Sequence, residues 1–366
     1  MNDISYIPIL KTKRAEYAAL NQLDNFIKSK IIPMLELEPV PVDPESDIPE
    51  KSYTDFLYGF EQKLTAGCSD FSTIFLDGLL VEEQFITQGD TYPIVNAVTQ
   101  ARNAGFNVVP VSSPTRSTTY HKAIHSLLQG EICLRLTTID LVNPQLIISY
   151  ISQLNIPLNK IDIMIDLRDT LTEDGINSGN NKTLALGLIN NLPNVRQYRS
   201  LTLAAGSFPV DLSDISVGIY SQNRLEWELW QSIYSSNQLV RHVIYSDYGV
   251  QHPEYPRLTT KFPSATASVR YTGDTNFWVF RGRIARRYGF DQYGAHSQAI
   301  INHQEYSGTT FSIGDNDIND YASTYSQYLQ NPQGNYKFGS PEVWRRIGQN
   351  HHITKVVKQL ANLYGL

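Results

Sequence analysis

Residues 106–136, FNVVPVSSPTRSTTYHKAIHSLLQGEICLRL, contain the strand–helix–strand unit that decides the fold. The apolar runs Phe106–Val111 and Ile132–Leu136 have the length and composition of buried strands. Between them, near residues 118–128, apolar side chains recur at the spacing of one helix face. Because short apolar strands that alternate with helices are typical of parallel sheets covered on both faces, this unit predicts an α/β protein.

The same alternation extends outward from this unit in both directions. The other predicted strands are Tyr6–Leu10, Ile31–Leu37, Thr73–Leu76, Ile161–Ile165, Arg199–Leu203 and His242–Tyr245. Helical patterns lie between the strands near residues 17–27, 53–64, 92–103, 144–153, 183–190 and 224–235. An open, doubly wound sheet would alternate in a similar way, but eight strands within about 250 residues favour closure. We therefore predict that residues 1–249 form a (β/α)8, TIM-like barrel.

The composition and the hydrophobic pattern of the sequence change after Gly249. Residues 250–366 are rich in aromatic and polar residues, and Ala267–Tyr271 and Asn276–Phe280 alternate around a Gly-Asp turn, which predicts a β-hairpin. The last segment, Glu342–Leu363, has the apolar spacing of a helix and follows a Ser-Pro pair suited to a helix start. We predict a C-terminal α+β extension that packs on or near the barrel.

Charge and composition divide the chain at the same point. Residues 1–249 carry 18 Lys and Arg against 28 Asp and Glu, whereas residues 250–366 carry 12 against 8. This asymmetry indicates two regions with different tasks. The two cysteines, Cys68 and Cys133, are too few for a disulfide framework or a cysteine-based zinc site. No stretch has the length of a membrane helix and the start lacks a signal peptide, so we expect a cytoplasmic protein with no membrane contact.

Charged residues follow most of the predicted strands. In a (β/α) barrel the carboxyl ends of the strands meet at one mouth, where active sites lie. We predict catalytic roles there for Glu36, Asp166 and Asp247, and substrate binding by Lys11, Lys13, Arg135, Arg168 and Tyr248. Carboxylates gathered at one mouth share a metal, share a proton or pair with cations. A divalent cation held by Glu36, Asp77 and Asp166 is therefore one alternative, and the cofactor stays unknown.

A basic run follows the predicted hairpin. Arg281, Arg283, Arg286 and Arg287 lie within RGRIARR, among several aromatic residues. Such a run is suited to nucleic-acid or nucleotide binding. A solvated helix face, or salt bridges to the acidic barrel, would account for it equally well.

Several of these segments resemble a known family. The opening Pro8-Ile9-Leu10-Lys11-Thr12-Lys13, with Glu16-Tyr17-Ala18-Ala19-Leu20, and the second strand, Pro33-Met34-Leu35-Glu36, are similar to the first motifs of the beta protein family, named after a phage T4 protein. Also similar are Asp166-Leu167-Arg168, Asp247-Tyr248-Gly249 and Trp344…Gly348…His351-His352. The resemblance spans nearly the whole chain. It implies a phage or bacterial defence context and no particular reaction.

Three functional hypotheses remain open from the sequence. The first is an enzyme, a hydrolase that uses the barrel mouth on a phosphorylated or nucleotide-like substrate. The second is a binding or sensing module that recognises a protein or nucleic acid through its extension. The third is a subunit of a two-component toxin or defence system, whose protein partner is encoded nearby.

Overall fold

A closed parallel barrel is the centre of the structure. The structure, a computed structural model, describes residues 4–46, 48–82, 92–255 and 264–365. Within these residues, eight parallel strands close into a barrel in chain order: β1 (Tyr6–Lys11), β2 (Met34–Glu36), β3 (Ile74–Asp77), β4 (Val108–Ser112), β5 (Ile132–Leu136), β6 (Ile161–Asp166), β7 (Ser200–Ala204) and β9 (Ile244–Asp247). Each predicted strand overlaps one of them, so the predicted (β/α)8 barrel is confirmed.

Helices cover the outside of the barrel. They are α1 (Arg14–Asn21), α2 (Asn25–Ser29), α3 (Tyr53–Phe56), α4 (Phe60–Cys68), α5 (Pro93–Asn103), α6 (Thr118–Leu127), α7 (Thr138–Leu141), α8 (Pro144–Leu154), α9 (Glu173–Asn177), α10 (Asn180–Asn190) and α11 (Leu225–Tyr234), with 3-10 turns at Leu79–Val81 and Leu158–Lys160. Short polar side chains begin several of these helices by accepting a first-turn N–H bond: Asp24, Ser52, Ser117, Asn143 and Thr172. Each predicted helical pattern coincides with one or two of these helices.

Alternation along the strands builds two apolar layers. Inward side chains such as Ile9, Met34 and Phe75 fill the barrel interior. Their neighbours in the chain, such as Leu35 and Leu76, pack instead against the helices. Polar residues at the strand ends follow the same alternation, which decides whether each of them faces the mouth.

The extension contains an antiparallel sheet. β10 (Thr266–Thr272) and β11 (Asn276–Ile284) form the predicted hairpin. β8 (Gly218–Asn223), from the connection between β7 and β9, pairs with the other edge of β11. The sequence did not predict β8, because its side chains are mostly exposed and lack the apolar character of a buried strand. The division at residue 249 stays a prediction, although β8 precedes it and pairs with a strand beyond it.

In the described part of the extension, four helices follow the hairpin: α12 (Ala285–Tyr288), α13 (Asp291–Ile301), α14 (Ile313–Gln330) and α15 (Pro341–Tyr364). α13 and α14 were not predicted, because the stretch that forms them is mainly polar. The whole basic run was predicted to follow the hairpin, but Arg281 and Arg283 lie within β11 itself. The run was misplaced because β11 continues beyond the alternating residues that predicted it.

The terminal helix α15 joins the two parts of the molecule. It begins, as predicted, with Ser340 as N-cap and a proline in its first turn. Trp344 and Ile347 pack into the core of the extension. Val357 and Leu360 pack into the outer core of the barrel, which is the apolar layer between its strands and the surrounding helices. Within the described residues, no helix combines the length and the apolar character that crossing a membrane requires.

Candidate functional site

Strand register brings the charged residues of the mouth together. Lys11 of β1 pairs with Glu36 of β2, which in turn pairs with Asp77 of β3. The three strand ends therefore lie side by side. Arg135 of β5 and Asp166 of β6 reach the same interior from the opposite wall, since both contact this group directly or through each other.

A single guanidinium lies at the centre of this group. Nη1 of Arg135 lies 2.8 Å from Oε1 of Glu36 and 2.7 Å from Oδ2 of Asp77. Nε and Nη2 both lie 2.8 Å from Oδ2 of Asp166. The Tyr248 hydroxyl accepts a bond from Nη2 at 2.6 Å and donates one to Asp166 at 2.6 Å. Burial disfavours the charge of Arg135, yet Tyr248 and the three carboxylates raise its pKa above the ordinary value, so the guanidinium stays protonated.

Further groups hold the two aspartates. Nη2 of Arg116 lies 2.9 Å from Oδ1 of Asp77, and the backbone N–H of Leu79 donates to the same oxygen at 2.9 Å. Burial opposes ionisation of Asp77, but Arg116 and Arg135 outweigh it and lower its pKa. Oδ1 of Asp166 accepts the backbone N–H of Arg168 at 2.9 Å. Arg168 has a φ of 51°, which is uncommon for a residue other than glycine.

Glu36 differs from the other two carboxylates. Its Oε2 is buried and has no hydrogen-bond partner among the described residues, whereas its Oε1 is held by Arg135. Lys11 lies on the neighbouring strand, and its Nζ donates to the carbonyl of His252 at 3.0 Å. Burial lowers the pKa of Lys11, and the charge of Glu36 opposes that shift. Glu36 therefore offers a carboxylate oxygen, Oε2, that accepts no hydrogen bond from the described residues. Beside it, the ammonium group of Lys11 loses its proton more readily than usual.

Asp247 lies outside this group. Asp247 and Tyr248 are adjacent on an extended segment, so their side chains point to opposite sides, and Tyr248 is the inward one. Asp247 accepts bonds from Tyr6 at 2.5 Å and Tyr245 at 2.8 Å, and lies 3.0 Å from Nε2 of His352. Burial opposes its ionisation, but His352 and the hydrogen bonds from Tyr6 and the backbone N–H of Gly249 lower its pKa. Asp247 thus attaches α15 to the barrel and is not grouped with Glu36 and Asp166.

The other predicted substrate-binding residues lie at the rim. Lys13 is 3.5 Å from Oε1 of Glu38 and lies over the ring of Tyr255. The side chain of Arg168 is half-buried above Asp166. Neither contacts the central guanidinium.

The geometry bears on the suggested metal site. Glu36, Asp77 and Asp166 surround the guanidinium of Arg135, which occupies the centre where a cation would sit. Across the described ranges, no group of three or more His, Cys, Asp and Glu side chains is arranged to hold a metal ion. These residues therefore fit a resident arginine better than a divalent cation.

Two polar groups near the mouth were missed from the sequence. Arg116 lies in the loop after β4, and the rule that such loops line the mouth of a barrel would have indicated it. Glu226, near the start of α11, accepts a 2.5 Å bond from the Ser207 hydroxyl, and burial raises its pKa to about 7. No signal in the sequence distinguishes Glu226 from the exposed Glu228 of the same helix, because burial there depends on the packing of the extension.

Comparisons with known proteins bear on the family alone. No curated protein matches the chain. Two solved structures of mutant tryptophan synthase alpha-subunit from Pyrococcus furiosus share 10% and 11% identity, with TM-scores of 0.25 and 0.26. These matches cover 66% and 67% of this chain and 86% and 87% of those chains, and similarity at this level carries no argument about the site. A family model described as Beta protein matches residues 6–358, nearly the whole chain. The chain therefore belongs to the Beta protein family.

Proposed function

We propose that the chain is an enzyme, a hydrolase that acts by acid–base chemistry at the barrel mouth on a phosphorylated or nucleotide-like substrate. The observation that carries the proposal is the free Oε2 of Glu36. The other five carboxylate oxygens of Glu36, Asp77 and Asp166 are hydrogen-bonded, and this one is buried without a partner among the described residues. A buried polar atom left unpaired in a native fold calls for an explanation, and proton transfer to a bound substrate is one.

In this proposal each residue has a distinct task. Arg135 is fully engaged with its carboxylates, so it orients Glu36 through Oε1 and does not bind substrate. As water attacks the phosphorus atom, Oε2 of Glu36 accepts its proton, and the P–O bond to the leaving ester oxygen breaks. The leaving oxygen takes a proton from solvent, and Glu36 then returns its proton to solvent. Lys11 has ammonium hydrogens beyond the one given to His252, and these bind a phosphate oxygen. Lys13 and Arg168, at the rim, add positive charge for the same anion.

The test compares two matched substitutions. Glu36→Gln keeps the acceptor for Arg135 but cannot take a proton, so we expect turnover of a panel of phosphomonoesters and nucleotides to fall by about 10²–10⁴-fold. The melting temperature should change by only a few degrees. Glu38→Gln, at the rim, is the control and should retain turnover. Equal turnover in the Glu36→Gln and Glu38→Gln proteins would refute the acid–base role.

A second candidate function is a binding or sensing module built on an inert barrel. It is favoured by the completeness of the central network, since Arg135, Asp77 and Asp166 are each at most 2% exposed and mutually paired. The ion pairs of Arg135 with Asp77 and Asp166 satisfy these buried charges without a bound ligand. Arg283, Arg286 and Arg287 are exposed and would then contact nucleic acid, a nucleotide or a protein partner. Under this function, replacing these three arginines by alanine abolishes activity in the host, while Glu36→Gln leaves it intact.

The phage or defence role belongs to the proposal as well. In a two-component system the chain would be inactive without the partner protein encoded nearby. Pull-down of the tagged chain from its native host, with and without phage infection, tests this. A partner recovered at constant stoichiometry supports the two-component system, whereas recovery of the chain alone in both states contradicts it.

A further inference from the structure

A cavity of about 470 Å³ lies between the barrel and the extension, away from the central arginine network. Its wall is formed by the segment after β7, by the strands β10 and β11, and by the start of α15. The described lining includes Asp211, Ser268, Arg270, Arg281 and Arg345. The volume falls within the range of small-molecule sites.

The charge of this wall is strongly unbalanced. Three guanidinium groups line it, those of Arg270, Arg281 and Arg345, against one described carboxylate, that of Asp211. Asp211 is exposed, and its Oδ1 already accepts bonds from the backbone and the hydroxyl of Ser213. Positive charges therefore outnumber negative ones in the described lining of the cavity, although Glu16, which lies outside that lining, interacts electrostatically with Arg270 and Arg345.

Arg270 shows the imbalance most clearly. Its side chain lies over the ring of Phe208 at 4.5 Å, and Nη1 donates to the carbonyl of Val250 at 2.5 Å. In the described part of the chain it forms no salt bridge with a carboxylate. Burial and the neighbouring charge of Arg345 lower its pKa to about 9, and the charge of Glu16 opposes this shift. Arg270 is half-buried and has no carboxylate within salt-bridge distance among the described residues, so a bound anion would stabilise its charge.

Arg281 is positioned for the same anion. Nε donates to the carbonyl of Ile215 at 3.2 Å, and Nη1 donates to the hydroxyl of Thr266 at 2.7 Å and reaches that of Ser268 at 3.5 Å. These bonds hold the planar group in place. Nη2 has no acceptor among the described residues. The 24-residue helix α15 begins at Pro341, in the same wall. The positive end of its helix dipole therefore adds to the positive electrostatic potential in the cavity.

We propose that this cavity binds a phosphate group, with Arg270, Arg281 and Arg345 as its ligands. Arginine suits this role because its fork of N–H donors matches the oxygen geometry of phosphate. The site is independent of the function proposed for the barrel mouth, since it shares no residue with the network around Arg135.

The experiment measures binding to the full chain by titration calorimetry, with inorganic phosphate, adenosine monophosphate and adenosine as probes. Phosphate and the monophosphate should bind, and adenosine should not. Arg281→Gln and Arg345→Gln should each weaken phosphate binding at least tenfold. Arg196→Gln removes the same charge from an exposed position on the barrel, and should change affinity by less than twofold.

The remaining outcomes separate the sources of phosphate and the competing explanations. Equal affinity for phosphate and the monophosphate supports a site for the free anion, and tighter binding of the monophosphate supports a site for a phosphate ester. A lack of phosphate binding overturns the proposal, as does an equal loss in the Arg281→Gln and Arg196→Gln proteins. If Lys11→Gln weakens binding and Arg281→Gln does not, the anion binds at the barrel mouth and the proposal is wrong.

Discussion

At the scale of single residues, Arg135 determines the character of the barrel mouth. One guanidinium pairs with three buried carboxylates, and of these Asp77 has a second cation, Arg116. Removing the charge of Arg135 leaves Glu36 and Asp166 without a paired cation, which costs far more than the net value of the intact pairs. Loss of the central cation should therefore destabilise the protein much more than loss of the charge of one carboxylate around it.

We expect Arg135→Met to lower the free energy of unfolding by about 3–5 kcal/mol at pH 7, because three buried carboxylates lose their cation. Arg135 is one of the two cations that lower the pKa of Asp77, so its loss raises that pKa. Urea unfolding at pH 7 measures the change in stability.

Arg14→Met is the control for that change. It removes an exposed guanidinium that lies 2.6 Å from Glu342, and should cost less than about 1 kcal/mol. If the Met variant at position 135 were as stable as wild type at pH 7, the three carboxylates would not depend on Arg135.

How much of the site follows from sequence can be judged from these residues. Glu36, Asp77, Arg135 and Asp166 were located because each lies in or directly after an apolar strand of a barrel. Their mutual pairing did not follow, because it depends on strand tilt and stagger across the barrel. Asp247 shows the limit most plainly, since strand alternation permits only one of Asp247 and Tyr248 to face inward, and the register that selects Tyr248 is a property of the closed sheet.

At the scale of elements, α11 carries a buried acid at its first turn. Oε2 of Glu226 accepts a bond from Ser207, whereas Oε1 has no partner among the described residues. Burial raises the pKa of Glu226 to about 7, Arg224 opposes this shift, and Asp247 adds to it. The helix therefore carries an unfavourable charge at alkaline pH.

Replacing this acid should alter the pH dependence of stability in a defined direction. The folded-state pKa is raised, so the folded protein takes up a proton between about pH 7 and the unfolded value near 4.5, and stability rises as the pH falls through that window. We expect Glu226→Gln to be more stable than wild type at pH 8, by up to about 3 kcal/mol, and nearly equal to it at pH 5. Urea unfolding at both pH values measures the difference.

The same helix supplies the control for this prediction. Glu228→Gln removes an exposed carboxylate two residues along and should leave the pH profile unchanged. A Glu226→Gln protein whose profile parallels wild type from pH 8 to pH 5 would contradict the assignment of the neutral-range titration to Glu226.

Elements were predicted with uneven success for physical reasons. The barrel strands are continuous apolar runs because both of their faces are buried. β8 and the helices α13 and α14 are half-exposed and polar, so their sequences lack that signal and tertiary packing decides their structure. The hairpin was found because its turn residues and alternation are local features.

At the scale of the whole molecule, α15 belongs to two apolar cores. Ile347 lies in the extension core and Leu360 in the outer core of the barrel, both with no exposed surface. The two parts therefore share one rigid element, which should make their unfolding cooperative.

We expect Ile347→Ala and Leu360→Ala each to destabilise the protein by about 2–5 kcal/mol and to shift one common transition in differential scanning calorimetry. Leu363→Ala, at an exposed position of the same helix, should change stability by less than about 0.5 kcal/mol. If Ile347→Ala splits the melting curve into two separate transitions, the barrel and the extension unfold independently.

The pairing of β8 with β11 has a consequence for biosynthesis. A ribosome completes β8 and all the barrel strands before it makes β11 and α15. At that moment the nascent chain presents the unpaired edge of β8, with Ile219 and Tyr220 exposed, and an outer barrel surface that α15 does not yet cover. Unpaired edges and uncovered apolar surface are the features that attract other chains and chaperones. β11 and α15 thus complete structure that was translated earlier, so resistance to proteases should arise only after both elements have left the ribosome.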